Sequence, residues 1–225
     1  MDREPERTQR EPRITSEDTP RSTADFAACS DAELLRRIRT DDLAAFEAFF
    51  ERYRNLIFRT AYGLTGERQV AEEILQDTFA QAYRFRASFR PDVSPLPWLH
   101  RVALNFCYSQ LARRRLKTEP INELNVANLR ETSSEPAERA EQRELRQIVR
   151  EGIAELSPHH RSVIVLYYLH GMSLERTASI LDVRLGTVKS RLHYALRNLR
   201  THLERDRRFE PYGRPVPDEI KVESA

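Results

Sequence analysis

The chain has 225 residues, with 37 Lys and Arg against 35 Asp and Glu, two cysteines and no long apolar run. That balance argues against a membrane span and a disulfide scaffold, and no CxxC or Cys/His ligand spacing suggests a zinc site. No apolar stretch near the start resembles a secretion signal, so the cytoplasm is the expected compartment.

Composition divides the chain. Residues 1–29 are rich in Arg, Glu, Thr, Ser and Pro and read as a disordered N-terminal tail. Residues 30–116 carry apolar side chains at helical spacing. Phe46, Phe49, Phe50, Tyr53, Ile57, Ala61 and Leu64 form one stripe, which Gly63 and Gly66 are expected to break. A second helix is expected from about Val70 to Phe85, with Ala71, Ile74, Leu75, Thr78, Phe79 and Ala82 facing inward. Glu72, Glu73, Gln76 and Asp77 gather on its outer side, a pattern that on composition alone suits a solvated face equally well.

A loop stiffened by Pro91, Pro95 and Pro97 leads to a third helix. Leu99, Ala103, Phe106 and Gln110 share one side of it, and Cys107 is expected to pack in the core beside Phe106. Trp98, Arg101, Asn105 and Tyr108 share another side, and the helix ends in Arg113, Arg114, Arg115 and Lys117 with no acidic residue after Leu99. Aromatic rings stack on unpaired bases, while Asn and Arg read base edges or phosphates. The group therefore points to DNA, including strand-separated DNA; the bland alternative makes Trp98 and Tyr108 core aromatics.

Residues 117–143 turn polar and acidic and read as a flexible linker. Residues 144–203 are helical again, and 204–225 form a charged, Pro-containing tail. Within the second helical block, Ser173–Arg200 reads as two short helices joined by a tight turn, the layout of a helix-turn-helix. Ser173 is the expected N-cap of the first, with Glu175 favouring its N-terminus and Ala178, Ile180 and Leu181 as its apolar contacts. Gly186 supplies the turn and Thr187 the N-cap of the second, whose Val188, Leu192, Ala195 and Leu199 form an apolar stripe. Ser190, His193, Tyr194 and Arg197, flanked by Lys189 and Arg191, lie opposite and suit phosphates and base edges. Between Ser157 and Leu203 seven basic residues, Arg161 among them, outnumber two acidic ones, the footprint of a phosphate binder.

His159, His160 and His170 lie near one another in sequence but lack an acidic or Cys partner at ligand spacing, so no metal is expected. No G-x-S-x-G, Walker loop or paired-carboxylate constellation appears. No catalytic residue and no cofactor are assigned, and the chain is not expected to be an enzyme.

Three segments in this order, AEEILQDTFAQAY, PWLHRVALNFCYSQLARRR and LSPHHRSVIVLYYLHGMSLERTASILDVRLGTVKSRLHYALRNLR, resemble sigma factors of the sigma-70 family. The resemblance runs from about Asp31 to Leu203 and is to the extracytoplasmic-function (ECF) type, which keeps only regions two and four. It implies an all-α fold of two small helical domains joined by a flexible linker, with disordered tails. It also implies that Glu72, Glu73, Gln76 and Asp77 dock on the clamp of bacterial RNA polymerase core. The second domain would meet the flap of the second-largest subunit, and the linker would thread toward the RNA exit channel. By the same resemblance the loop 86–97 would hold a flipped base, and Trp98, Arg101, Asn105, Tyr108, Arg113 and Arg114 would serve the promoter minus-ten element. Thr187, Lys189, Ser190, Arg191, His193, Tyr194 and Arg197 would serve the minus-thirty-five element. An anti-sigma factor is the further implied partner. Tyr194, Pro97 and Arg176 depart from the common pattern, where a basic, a small polar and an apolar residue are usual. The rival reading is a stand-alone duplex-binding regulator, which would leave the acidic face and the Trp98–Tyr108 face without a use.

Overall fold

The computed structural model describes residues 29–117 and 136–212. The tail 1–28, most of the expected linker and the chain after Tyr212 lie outside the described residues.

The first domain has four helices. α1 (Asp31–Arg39) opens at Ser30, whose hydroxyl accepts the Glu33 N–H at 3.2 Å. α2 (Leu43–Thr65) opens at Asp42, which accepts the Ala45 N–H at 3.0 Å, and closes at Gly66 with a left-handed φ of 73°. The φ at Gly66 is one that a side chain resists, so this glycine ends the helix. Gly63 does not end it, contrary to the sequence reading: it lies inside α2, where an added Cβ would stand 2.9 Å from Val165 Cγ2. Its role is close approach of a neighbouring element. α3 spans Arg68–Arg84 and α4 spans Leu96–Lys117. The Pro-rich loop is shorter than expected, because Arg86–Ser88 form a 3-10 turn and Pro97 sits in the first turn of α4, where a missing N–H costs nothing. Phe49, Ile57, Leu64, Ile74, Leu99 and Leu104 are fully buried between these helices, and Phe50 meets Phe79 edge-on at 4.8 Å. Cys107 joins this core. Asp31 ties α1 to α2 by pairing with Arg52 at 2.7 Å and accepting the Tyr53 hydroxyl.

The second domain has α5 (Pro136–Glu155), α6 (Pro158–Ile164), α7 (Leu174–Leu181) and α8 (Leu185–Arg205). α5 begins inside the stretch expected to be linker. Its Ala, Glu, Arg and Gln are strong helix formers, and it docks through buried Ile148, half-buried Ile153 and the close approach of Leu199 and His202 at Gly152. The expected tail after 203 likewise starts with ordered chain. A 3-10 turn covers Arg207–Tyr212, and Arg208 pairs with Asp206 and with Glu151 of α5. α6 widens into a π-helical turn over Val165–Leu169, closed by the His170 N–H on the Val165 carbonyl at 3.1 Å.

The two domains pack against each other. Val165, Leu166, Met172 and Ile180 are buried in the same apolar cluster as the first domain's core. Leu156, Val163, Ala178, Val188, Leu192 and Ala195 form the smaller core of the second domain. Arg161 bridges them from a buried position. Its guanidinium donates to the carbonyls of Ile153 (3.1 Å), Ala154 and Leu156 (3.1 Å) around the end of α5, and to Leu64 near the end of α2.

Candidate nucleic-acid and polymerase interfaces

The helix-turn-helix forms as α7 and α8, with a different turn from the expected one. Ser173 caps α7, its hydroxyl accepting the Arg176 N–H at 3.1 Å. The turn is made by Asp182, which takes the left-handed conformation (φ 55°) that Asp tolerates, with the Val183 N–H closing onto the Ala178 carbonyl at 3.1 Å. α8 then starts at Leu185 with Arg184 at its N-cap position. Gly186 and Thr187 are therefore helical, and Thr187 is not the cap. Val188, Leu192 and Ala195 are buried, as their spacing requires. Ser190, His193, Tyr194 and Arg197 stand exposed, and Thr187, Lys189 and Arg191 are half-buried beside them. The Ser190 hydroxyl donates to the Thr187 carbonyl at 3.0 Å. Tyr194 is 51% exposed, a large ring in water with the His193 ring 5.5 Å away. No acidic residue occupies the first turn of α8, so its positive end suits a phosphate.

One member of the basic count drops out. Arg161 is only 8% exposed and is surrounded by carbonyls, so it offers nothing to a phosphate. Sequence cannot separate a solvated arginine from one that caps helix ends, since both read as charge.

On α4 the structure divides the expected face. Asn105, Arg113 and Arg114 are exposed, and Arg114 forms an ion pair with Glu67. Trp98 is half-buried, its ring edge-on to Phe89 with centroids 5.3 Å apart. Arg101 donates to the carbonyls of Ser179 and, at 3.3 Å, Ile180, at the end of α7. Tyr108 is half-buried beside Ser162, its ring 5.0 Å from that of His159, and burial raises its hydroxyl pKa. The two aromatics thus pack as well as face outward, and Arg101 and Tyr108 meet the second domain.

On α3 the expected pattern holds. Glu72, Glu73, Gln76 and Asp77 are all exposed, while Ala71, Ile74, Thr78, Phe79 and Ala82 are buried. Glu72 pairs with Arg68 one turn earlier at 2.8 Å.

Sequence reasoning missed a polar cluster between the domains. The Thr60 hydroxyl of α2 lies 3.0 Å from His100 Nδ1 of α4 and 2.8 Å from His170 Nε2 after the π-helical turn. A usable signal existed: His100, Leu104 and Cys107 fall on one side of α4, so His100 occupies an apolar-face position. His159 and His160 lie elsewhere, against Tyr108 and Tyr194. Among the described residues no group of His, Cys, Asp and Glu is arranged to hold a metal, and no helix is long and apolar enough to cross a membrane.

One domain thus presents an exposed acidic helix face and the other a helix-turn-helix with a polar and basic outer face. Comparison with known proteins makes this specific. Residues 49–117 match Sigma-70 region 2 and residues 152–201 match Sigma-70, region 4. The chain is 35% identical over 162 residues to the ECF RNA polymerase sigma factor SigM of Mycobacterium tuberculosis, covering 72% of this chain and 79% of that one. It is 32% identical over 176 residues to the ECF RNA polymerase sigma-E factor of Salmonella typhimurium, covering 74% and 90%. Among solved structures it resembles the sigma factor RpoE in complex with the anti-sigma factor NepR from Bartonella quintana, with a TM-score of 0.58 and 25% identity over 72% of this chain and 98% of that one. The chain belongs to the sigma-70 family, as an RNA polymerase sigma factor of the ECF type.

Proposed function

We propose that this sigma factor docks on bacterial core polymerase through α3, reads a minus-thirty-five element with α8, and opens and reads a minus-ten element with α4 and the loop before it. The observation that carries the reading is α8 itself. Val188, Leu192 and Ala195 of its apolar stripe are buried in the core, while Ser190, His193, Tyr194 and Arg197 project exposed from the opposite face. Side chains of this kind at a helix-turn-helix N-terminal half donate to base edges and phosphates. Glu73, Gln76 and Asp77 supply the polymerase contact, with Glu72 at its margin. Asn105, Arg113 and Arg114 meet the duplex edge of the opening DNA, Trp98 and Tyr108 flank it, and Arg101 joins them when released from α7. Capture of an unstacked base offsets part of the cost of opening the duplex. Phosphoryl transfer belongs to the polymerase; the chain supplies specificity.

Two partners accompany this reading. The complex with an anti-sigma factor described for the similar RpoE supports an anti-sigma partner here. Action on polymerase and promoter DNA places the chain in the cytoplasm.

The test is promoter binding and transcription by the purified chain, with and without core polymerase, over a random promoter library. Initiation and strand opening that require core support the reading and reveal both elements. Tight sequence-specific binding without core, and no initiation with it, would replace it with a stand-alone regulator.

A further inference from the structure

Tyr194 stands 51% exposed on the outer face of α8, one helical turn beyond Ser190. An exposed tyrosine ring is ordinarily free to swing, but this one is held on two sides. The His160 ring of α6 lies nearly parallel to it, with planes 26° and centroids 6.5 Å apart. The His193 ring meets it edge-on, with planes at 76° and centroids 5.5 Å apart. Rings in both arrangements attract one another, so the contacts fix the direction of the tyrosine. His160 is half-buried, and burial, then Arg191 and His159, hold its pKa below the ordinary value. At neutral pH it is an uncharged ring and not a phosphate-seeking cation. Val163 and Ile164 of α6 share one apolar core with Val188 and Leu192 of α8. The three rings are therefore set within the second domain and do not depend on the first.

The outer side of α8 thus combines two chemistries. Lys189, Arg191 and Arg197 are cations, suited to phosphates and to the acceptor atoms of guanine. Tyr194 offers chiefly ring carbon and a single hydroxyl. In the major groove guanine presents two acceptors, which a fork of donors satisfies and one hydroxyl does not. Cytosine and adenine each present an amino group that ring carbon would leave unpaired, at a cost. Thymine alone carries an apolar group there, its C5 methyl, beside the O4 acceptor. Ring carbon packs on the methyl, and the hydroxyl can donate to O4. A ring already held in place gains these contacts without first giving up its own freedom of rotation.

We propose that Tyr194, held between His160 and His193, selects a thymine in the minus-thirty-five element through the thymine methyl group, an inference that rests on α8 being the promoter-reading helix. Tyr194 touches the base. His160 lies on α6, behind the tyrosine, and is a positioning residue: it acts on the DNA only through the direction of the ring. Loss of the methyl contact therefore weakens binding at one base pair, by about fourfold for one buried methyl. Loss of His160 blurs the choice of base at that pair and leaves the rest of the element as it was.

Holoenzyme made from the full chain and core polymerase, transcribing a library randomised over the minus-thirty-five element, tests this. The position whose preference disappears in Tyr194→Ala is the one that Tyr194 reads, and thymine is expected there. Deoxyuridine in place of that thymine removes only the methyl, and it changes the DNA and not the chain, so folding of a variant does not enter. It is expected to lower promoter-complex formation about fourfold with the native chain and not at all with Tyr194→Ala. Tyr194→Arg is expected to move the preference to guanine. His160→Ala is expected to flatten the thymine preference at that position alone, and His160→Phe, which keeps a ring, to restore it. Another base preferred at that position, deoxyuridine used as well as thymine, or an equal loss on every sequence in Tyr194→Ala (the mark of a phosphate contact) overturns the thymine contact. An unchanged preference in His160→Ala removes the positioning role. A clear element without thymine at the Tyr194 position ends this proposal alone, whereas no upstream preference in any of the chains ends the promoter reading and the proposal with it.

Discussion

Arg161→Met probes the most heavily bonded side chain at the junction. The guanidinium serves four carbonyls, two of them at 3.1 Å, and is nearly inaccessible to water. These carbonyls lie at the ends of α5 and α2, where intrahelical donors run out and a cation also meets the negative end of each helix. Methionine fills a similar volume and donates nothing. The Ile153 carbonyl keeps the Leu156 N–H at 3.1 Å, so three acceptors lose their donor at about 1 kcal/mol each, and relief of the buried charge returns roughly 1 kcal/mol, for a net loss of about 2 kcal/mol. Urea unfolding followed by circular dichroism should show the midpoint lowered by about 1 M or more. Arg161→Lys, a single-point donor that cannot span four acceptors, should lose roughly half as much. A methionine variant within about 0.5 kcal/mol of the native chain would refute the view that this arginine is a structural cap, and would return it to the pool of phosphate-binding charges.

Three further outcomes are expected. Glu73→Lys, Gln76→Lys and Asp77→Lys should each weaken core polymerase binding by about tenfold, because the exposed acidic face of α3 would meet its partner with the wrong sign; unchanged affinity in a pull-down or titration removes the docking assignment. Arg197→Ala, on the exposed face of α8, should lower promoter-specific initiation by roughly 1–3 kcal/mol. An equal loss on every promoter would make Arg197 a phosphate contact, and none at all would remove it from the interface. The Cys107 thiol is fully buried and pushed up to about 12, chiefly by burial, whereas Cys29 is half-exposed. A thiol reagent at pH 8 should therefore modify one cysteine per native chain and reach the second only in denaturant; rapid modification of both would show that the first domain opens readily.

Local pattern was enough for much of this molecule. Apolar spacing located α2, α3, α4 and the paired helices of the helix-turn-helix, because a helix that docks one face must repeat its apolar residues every three to four positions. The acidic side of α3 and the polar side of α8 followed from the same periodicity, since whatever lies opposite a buried stripe is exposed. Ser173 was legible as a cap for the same local reason: its hydroxyl bonds a backbone N–H three residues on.

Interactions between distant segments were not legible. Gly63 looks like a helix breaker in sequence and is a contact point for Val165, more than a hundred residues away. Gly186 looks like the turn, yet Asp182 makes it, because a single left-handed residue closed by the Val183 N–H suffices. Arg161 reads as surface charge and is a buried cap. Arg101 and Tyr108 read as one exposed face, and the second domain lies against both. His100 and His170 are unremarkable in sequence, yet their rings meet edge-on with centroids 5.0 Å apart and both reach the Thr60 hydroxyl. Sequence by itself determined α2, α3, α4 and the paired helices α7 and α8, and which side of each is apolar, since both depend on neighbours within a turn. Which polar groups are paired, buried or hidden was decided only when the two domains came together, because that depends on partners that no local spacing encodes.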